Sequence, residues 1–229
     1  MSIAKKLTTI ANNAQKVYNA GKKAEYDAFW DEFQQNGQRT NYRQGFPGEG
    51  WTDTTFKPKY NIVAVGNASN MFWGSKIVDM VKALKNNNVT IDTSGATDLS
   101  YAFSCNSVYL PEVSAVSATN IGVLFGYNRS LISVKKLILK NDGSQTFSSA
   151  FYNCTSLTDI EIEGVIGNNI DFSACPLSKK SIQYVVSALS ATVTGKTVSF
   201  KKTAKGVAFT ANEWTTLTAT KPNWTFNLV

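Results

Sequence analysis

The chain has 229 residues, of which 43% are hydrophobic and 17% charged, with a formal net charge of +7 and no histidine. That composition supports a packed core rather than bulk disorder. The missing histidine excludes Ser-His-Asp and Cys-His catalysis and every histidine-containing zinc site. The three cysteines, Cys105, Cys154 and Cys175, form no CxxC pair, which argues against a redox or zinc knuckle. The opening Met1–Thr8 has no apolar h-region, so no secretory signal peptide is expected, and an odd cysteine number then argues against a disulfide framework. No apolar run approaches the roughly 20 residues that span a bilayer, so membrane insertion is not expected.

The positive charge is uneven. Residues 1–60 carry nine Lys/Arg against six Asp/Glu, and residues 61–175 carry seven against nine. Residues 176–229 carry seven lysines against one acid, which is where most of the excess lies. Such a face suits an anionic surface. It is built from lysine rather than arginine, the residue of bidentate phosphate and guanine contacts, so a solvated lysine-rich end is favoured over specific nucleic-acid binding.

In chain order, residues 1–36 read as a helix, with Ser2 as N-cap and Gly37 just past its end. Ile3, Leu7, Ile10, Ala14 and Val17 begin an a/d seam that continues through Gly21, Ala24 and Ala28, and Phe29, Trp30 and Phe33 then form a second stripe. This helix either joins copies of the chain or docks on its own domain. Residues 37–65 are read as a capping loop and first strand: an irregular loop over 37–60 with apolar anchors Phe46, Trp51 and Phe56, then a strand over 60–65 that stops at Gly66-Asn67. Ile77, Met80, Val81 and Leu84 predict a helix over 75–86 with Ser75 as N-cap.

Residues 66–175 repeat a phrase that ends on phenylalanine. Thr97–Phe103, Thr119–Phe125 and Gln145–Phe151 match closely, and Gly66–Phe72 is a looser copy. The anchors Phe103, Phe125 and Phe151 are 22 and 26 residues apart, within the 20–29-residue period of leucine-rich repeats. Four positions before them lie Leu99, Ile121 and Phe147, and three positions after come Asn106, Asn128 and Cys154, with Cys175 following Phe172. An inward Asn there can bond the backbone of a tight turn, and Cys can fill the same slot as a small apolar residue. Tyr109, Leu131 and Leu157 lie six positions after the anchors, and Leu157-x-x-Ile160-x-Ile162 alternates as a strand does. The cysteines are therefore expected as a ladder of buried thiols. From Pro176 the pattern changes to helix, strand, helix, strand. Ser178 caps a helix through Leu189, residues 196–200 form a strand, Thr210 to Glu213 is a capping box, and 224–228 is a last strand.

The fold class expected is thus α/β, a leucine-rich-repeat solenoid with short parallel strands, an N-terminal helix and a helix–strand–helix–strand C-terminal cap over 176–229. The run Phe151 to Ile160, with Cys154, Ser156 and Leu157, resembles the repeat of BspA-like leucine-rich repeat proteins. The opening 3–18, Phe29 to Gly37 and the closing Lys201–Lys205 and Lys221–Phe226 resemble a group of repeat proteins encoded in bacteria and their phages. The resemblance implies surface binding or carriage on virions, and it implies no catalytic residue.

Function is accordingly expected to be binding, without enzymatic activity or cofactor. The expected carrier is a phage particle, made in the cytoplasm and released to act at a cell surface. The alternatives are a bacterial cell-surface protein or a structural scaffold. The partner is a protein or a cell-surface glycan, and multimerisation through the first helix would add avidity. Tyr101, Tyr109, Tyr127 and Tyr152 lie near the anchors and are the candidate ligand contacts, provided they converge rather than pack inward. Asp159, Glu161 and Glu163 alternate about 7 Å apart on one strand face, the paired-carboxylate pattern of a glycosidase or simply a solvated face.

Overall fold

A computed structural model of the protein describes residues 39–41, 52–54, 56–58, 61–204 and 206–229. The predicted helix over 1–36 and its seam residues Ile3, Leu7, Ile10, Ala14 and Val17 lie outside the described residues, as do Phe46 and Trp51.

The described chain is a mixed α/β arrangement with short strands, all parallel, in three three-stranded sheets, none of them closed. The first joins β1 (Arg39–Asn41), β2 (Ile62–Asn67) and β3 (Ile91–Asp98). The second joins β4 (Tyr109–Ser114), β5 (Ser133–Ile138) and β6 (Asp159–Glu163). The third joins β7 (Ile170–Phe172), β8 (Lys196–Phe200) and β9 (Trp224–Leu228). The helices are α1 (Met80–Asn86), α2 (Lys179–Ala188) and α3 (Ala211–Ala219).

Strand alternation builds the core of the middle sheet. Leu110, Val134 and Ile160 stand in register as one buried row, and Val113, Leu137 and Ile162 as a second. The buried residues are three apart in β4 and β5 but two apart in β6, so the β5–β6 ladder slips between Val134 and Leu137. Beside these rows runs a column of rings, Phe56, Phe72, Phe103, Phe125, Phe151, Phe172 and Phe200, with successive centroids 4.4–6.2 Å apart. All seven are among the largest fully buried side chains. The four anchors of the repeated phrase are the middle of this column. It ends against Trp214, 5.9 Å from Phe200.

The turns that carry the anchors are joined by backbone hydrogen bonds in the same order. Phe72 N–H donates to the Ala102 carbonyl, Phe103 to Leu124 and Phe125 to Ala150, at 2.8–2.9 Å. Two residues earlier, Asn70 donates to Ser100, Tyr101 to Gly122 and Val123 to Ser148. Each turn thus supplies the missing partners of the next, as strands do in a sheet.

After Pro176 the order helix, strand, helix, strand is formed. Ser178 caps α2, accepting from the Ser181 N–H, and Ile182, Val185, Val186 and Leu189 are buried. The Ser181 hydroxyl accepts from the Ile160 N–H at 2.9 Å, so α2 serves β6 where another strand would otherwise pair. Thr210 and Glu213 form the reciprocal capping box of α3.

Three expectations are corrected. The helix over 75–86 begins at Met80 with Asp79 as N-cap, not at Ser75, and Val81 is exposed. The carbonyls of Ser75 and Val78 accept from Asn106 and Val108, which holds this stretch extended until Asp79. The loop expected over 37–60 contains a strand, β1, and β2 continues through Gly66 and Asn67, its expected stop. Asn106 is exposed, and Cys105 takes the inward place instead. Phe103 lies seven residues before its strand residue Leu110, whereas Phe125 and Phe151 lie nine before Val134 and Ile160, so the shorter linker shifts the inward position.

Candidate binding face

The turn around each anchor phenylalanine has an unusual backbone. Two residues before it the chain is left-handed every time, at Asn70, Tyr101, Val123 and Ser149, with φ of 53–58°. Two residues after it the chain is left-handed again at Gly74, Tyr127 and Asn153, with φ of 62–72°. Only glycine adopts this conformation freely. In the three turns that are left-handed on both sides, Trp73, Tyr127 and Tyr152 are exposed while the phenylalanine is buried.

Five residues before each anchor, Asn67, Asp98, Asn120 and Thr146 are aligned by parallel bridges. Asn67, Asp98 and Asn120 each accept the N–H two residues on, at 2.8–3.0 Å, and start the turn. This is the polar ladder that shapes the turns. These positions belong to the repeated phrase itself, whereas the polar ladder expected from the spacing lies three residues after the anchor. An Asx two residues before Ser or Gly is the local signal for it.

All four candidate tyrosines are on the surface, Tyr101 38%, Tyr109 42%, Tyr127 58% and Tyr152 54% exposed. Tyr127 and Tyr152 meet edge-to-face with ring centroids 5.2 Å apart. Their turns are joined directly, the Tyr127 N–H donating to the Tyr152 carbonyl at 2.7 Å. Among the described residues, neither Tyr101 nor Tyr109 stacks on another ring. Tyr101 lies in the row of residues preceding the anchors, and Tyr109 opens β4. The structure therefore brings together two of the four.

Two neighbours of this pair were not singled out from sequence. Arg129 follows Tyr127 by two residues, and Asn153 follows Tyr152. With its amide oxygen turned toward the guanidinium, Asn153 accepts from both Nε and Nη2 of Arg129, each at 3.1 Å. No carboxylate pairs with Arg129 among the described residues. Asn153 occupies the left-handed position that Gly74 takes in the first turn, and aligning the phrases two residues past the anchor exposes Tyr127 and Asn153 as one row.

The acidic row on β6 and three of the lysines near the C-terminus have partners within the chain. Lys136 bridges Glu161 at 3.1 Å and Glu163 at 3.2 Å, and the two carboxylates raise its pKa, Glu161 foremost. Asp159 accepts from the Thr158 hydroxyl at 2.6 Å and the Ser178 hydroxyl at 3.2 Å. Of the lysines in the last quarter, Lys179 pairs with Glu213 at 2.7 Å, Lys196 reaches the Asn168 side chain, and Lys221 donates to the Ser187 and Leu189 carbonyls at the C-terminal end of α2. Burial lowers the pKa of Lys221.

The three thiols are free and buried. Burial raises all three pKa values, Cys154 to about 12. The Cys154 Sγ donates to the Phe125 carbonyl at 3.1 Å and the Cys175 Sγ to Phe151 at 3.8 Å, so each ties one turn to the preceding one. Asn128 stands in the same column, but its amide nitrogen donates to the Cys105 sulfur at 3.7 Å rather than to a turn carbonyl.

No protein-family model, curated protein or solved structure matches the chain.

Proposed function

We propose that the protein is a non-enzymatic surface-binding module, built as a BspA-like leucine-rich-repeat solenoid and carried on a phage particle. The observation that carries the binding reading is the Tyr127–Tyr152 pair, two large rings directed at solvent from adjacent turns and touching each other. Packing alone gives no reason for a tyrosine at a left-handed position that glycine fills in the first turn. The solenoid reading draws support from the phenylalanine column and the turn-to-turn hydrogen bonds. In such an architecture the core is internal to the stack and the turn faces are left for partners.

The test uses the full chain, fluorescently labelled, on intact cells of the bacterium whose genome or phage encodes it. Wild-type protein is retained after washing, and Tyr127→Ala/Tyr152→Ala loses at least tenfold of that retention. Equal retention of both proteins would overturn the assignment of the face. For the carrier, antibodies to the chain label particles pelleted from a phage lysate; label confined to the soluble fraction or to uninfected cell surfaces refutes virion carriage.

A further inference from the structure

The same face has a charge that no carboxylate among the described residues answers. Arg129 is oriented by a neutral partner, the Asn153 amide oxygen, through Nε and one Nη2 proton. A guanidinium has five N–H donors in a planar fork. The bonds to Asn153 use two of them and leave Nη1 and the outer edge of Nη2 available. That edge is the one that takes a carboxylate bidentately. The amide fixes the plane of the fork without neutralising it, so the arginine is preorganised for an anion that no carboxylate among the described residues provides.

Arg129 and Asn153 belong to the same two adjoining turns as the Tyr127 and Tyr152 rings, two residues and one residue further along the chain. The backbone under them is already used: the Tyr127 N–H donates to Tyr152 and the Arg129 N–H to the Tyr127 carbonyl at 3.0 Å. An extended peptide adding as a strand needs unpaired backbone groups, and these are consumed. A pyranose needs none. It presents a C–H face to a tyrosine ring and hydroxyls to the phenol groups.

We infer that Tyr127, Tyr152 and Arg129 form a receptor for a carboxylate-bearing sugar of a surface polysaccharide. The sugar ring lies against the tyrosines and its carboxylate takes the outer edge of the Arg129 fork. This inference rests on the binding reading above and adds the class of ligand to it.

The test measures affinity of the full-length protein by calorimetry for three probes: oligogalacturonate, its methyl ester, and poly-glutamate. The first has ring and charge, the second ring alone, the third charge alone. Oligogalacturonate is expected to bind at least tenfold more tightly than either of the others, more weakly as salt is raised. Arg129→Gln loses at least tenfold for oligogalacturonate and leaves the ester unchanged, and Arg129→Lys does not restore the loss because it lacks the fork. Tyr152→Ala weakens both sugars. Tyr127→Gly removes the ring at a position where glycine suits the backbone, so it stays folded by circular dichroism while binding falls.

Equal affinity for the ester, or an unchanged Arg129→Gln, overturns the acidic-sugar assignment. Poly-glutamate bound as tightly as oligogalacturonate overturns it in favour of an acidic peptide. If no probe binds while the wild-type protein is still retained on cells, this inference falls and the binding module stands. If neither occurs, both fall.

Discussion

Replacing Phe125 by alanine tests the ring column where it has most to lose. The side chain is fully buried, and its ring lies between Phe103 at 6.2 Å and Phe151 at 5.4 Å. Truncating a buried phenylalanine costs about 3–5 kcal/mol, the transfer of the lost carbons plus the cavity left behind. Here the upper half of that range is expected, because two ring contacts worth about 0.5–1.5 kcal/mol each are lost together. The turn backbone around the gap is also pinned on both sides, through Phe103 to Leu124 and Phe125 to Ala150, so collapse into the cavity is restricted. At an m-value of about 2–3 kcal/mol per M, a loss of 4–5 kcal/mol lowers the urea midpoint by about 2 M. The comparison is Phe226→Ala, at the end of the aromatic run, where a half-buried ring touches Trp214 at 6.2 Å. That variant is expected to lose about 1–2 kcal/mol. Equilibrium urea unfolding followed by tryptophan fluorescence measures both. A loss below about 2 kcal/mol at Phe125, or one no larger than at Phe226, refutes the central column as the main store of stability.

The cysteines, with burial raising every pKa, are expected to resist a thiol-reactive dye at pH 8 in the native protein and to react fully in denaturant; rapid native labelling of any one contradicts the buried ladder. Glu213 is held at a pKa of about 2 by the Lys179 ammonium first and by Thr210 second. Because its folded pKa is depressed below the ordinary 4.5, its stabilisation is present above that value and is lost as pH falls toward 2. The thermal midpoint of wild type should therefore exceed that of Glu213→Gln at pH 6 and converge on it near pH 2, and a gap independent of pH refutes the role. Gly167→Ala should cost about 2–3 kcal/mol, because its Cβ would meet the Gly143 carbonyl of the adjoining turn, and thermal unfolding would show whether the backbones can separate more cheaply.

What could be read along the chain was whatever local chemistry specifies. The phenylalanine period, the Ser178 and Thr210 caps, and the inward stripe Ile182, Val185, Val186 and Leu189 each depend on residues a few positions apart, and each stands where the spacing placed it. Tertiary structure decided what depends on neighbours from other turns. Residues 75–79 have a helical pattern but are extended, because the backbone of 106–108 needs their carbonyls. Cys105 rather than Asn106 faces inward, because the first linker is two residues shorter and the sheet register overrides the alignment. The candidate site divides in the same way. That tyrosines cluster near the anchors is visible in the sequence; that Tyr127 and Tyr152 meet follows from their places after the anchors of adjoining turns, whereas Tyr101 precedes its anchor and Tyr109 opens β4. The pairing of Arg129 with Asn153, 24 residues away, exists only once two turns are stacked, because no one-dimensional pattern brings an amide in one turn to a guanidinium in another.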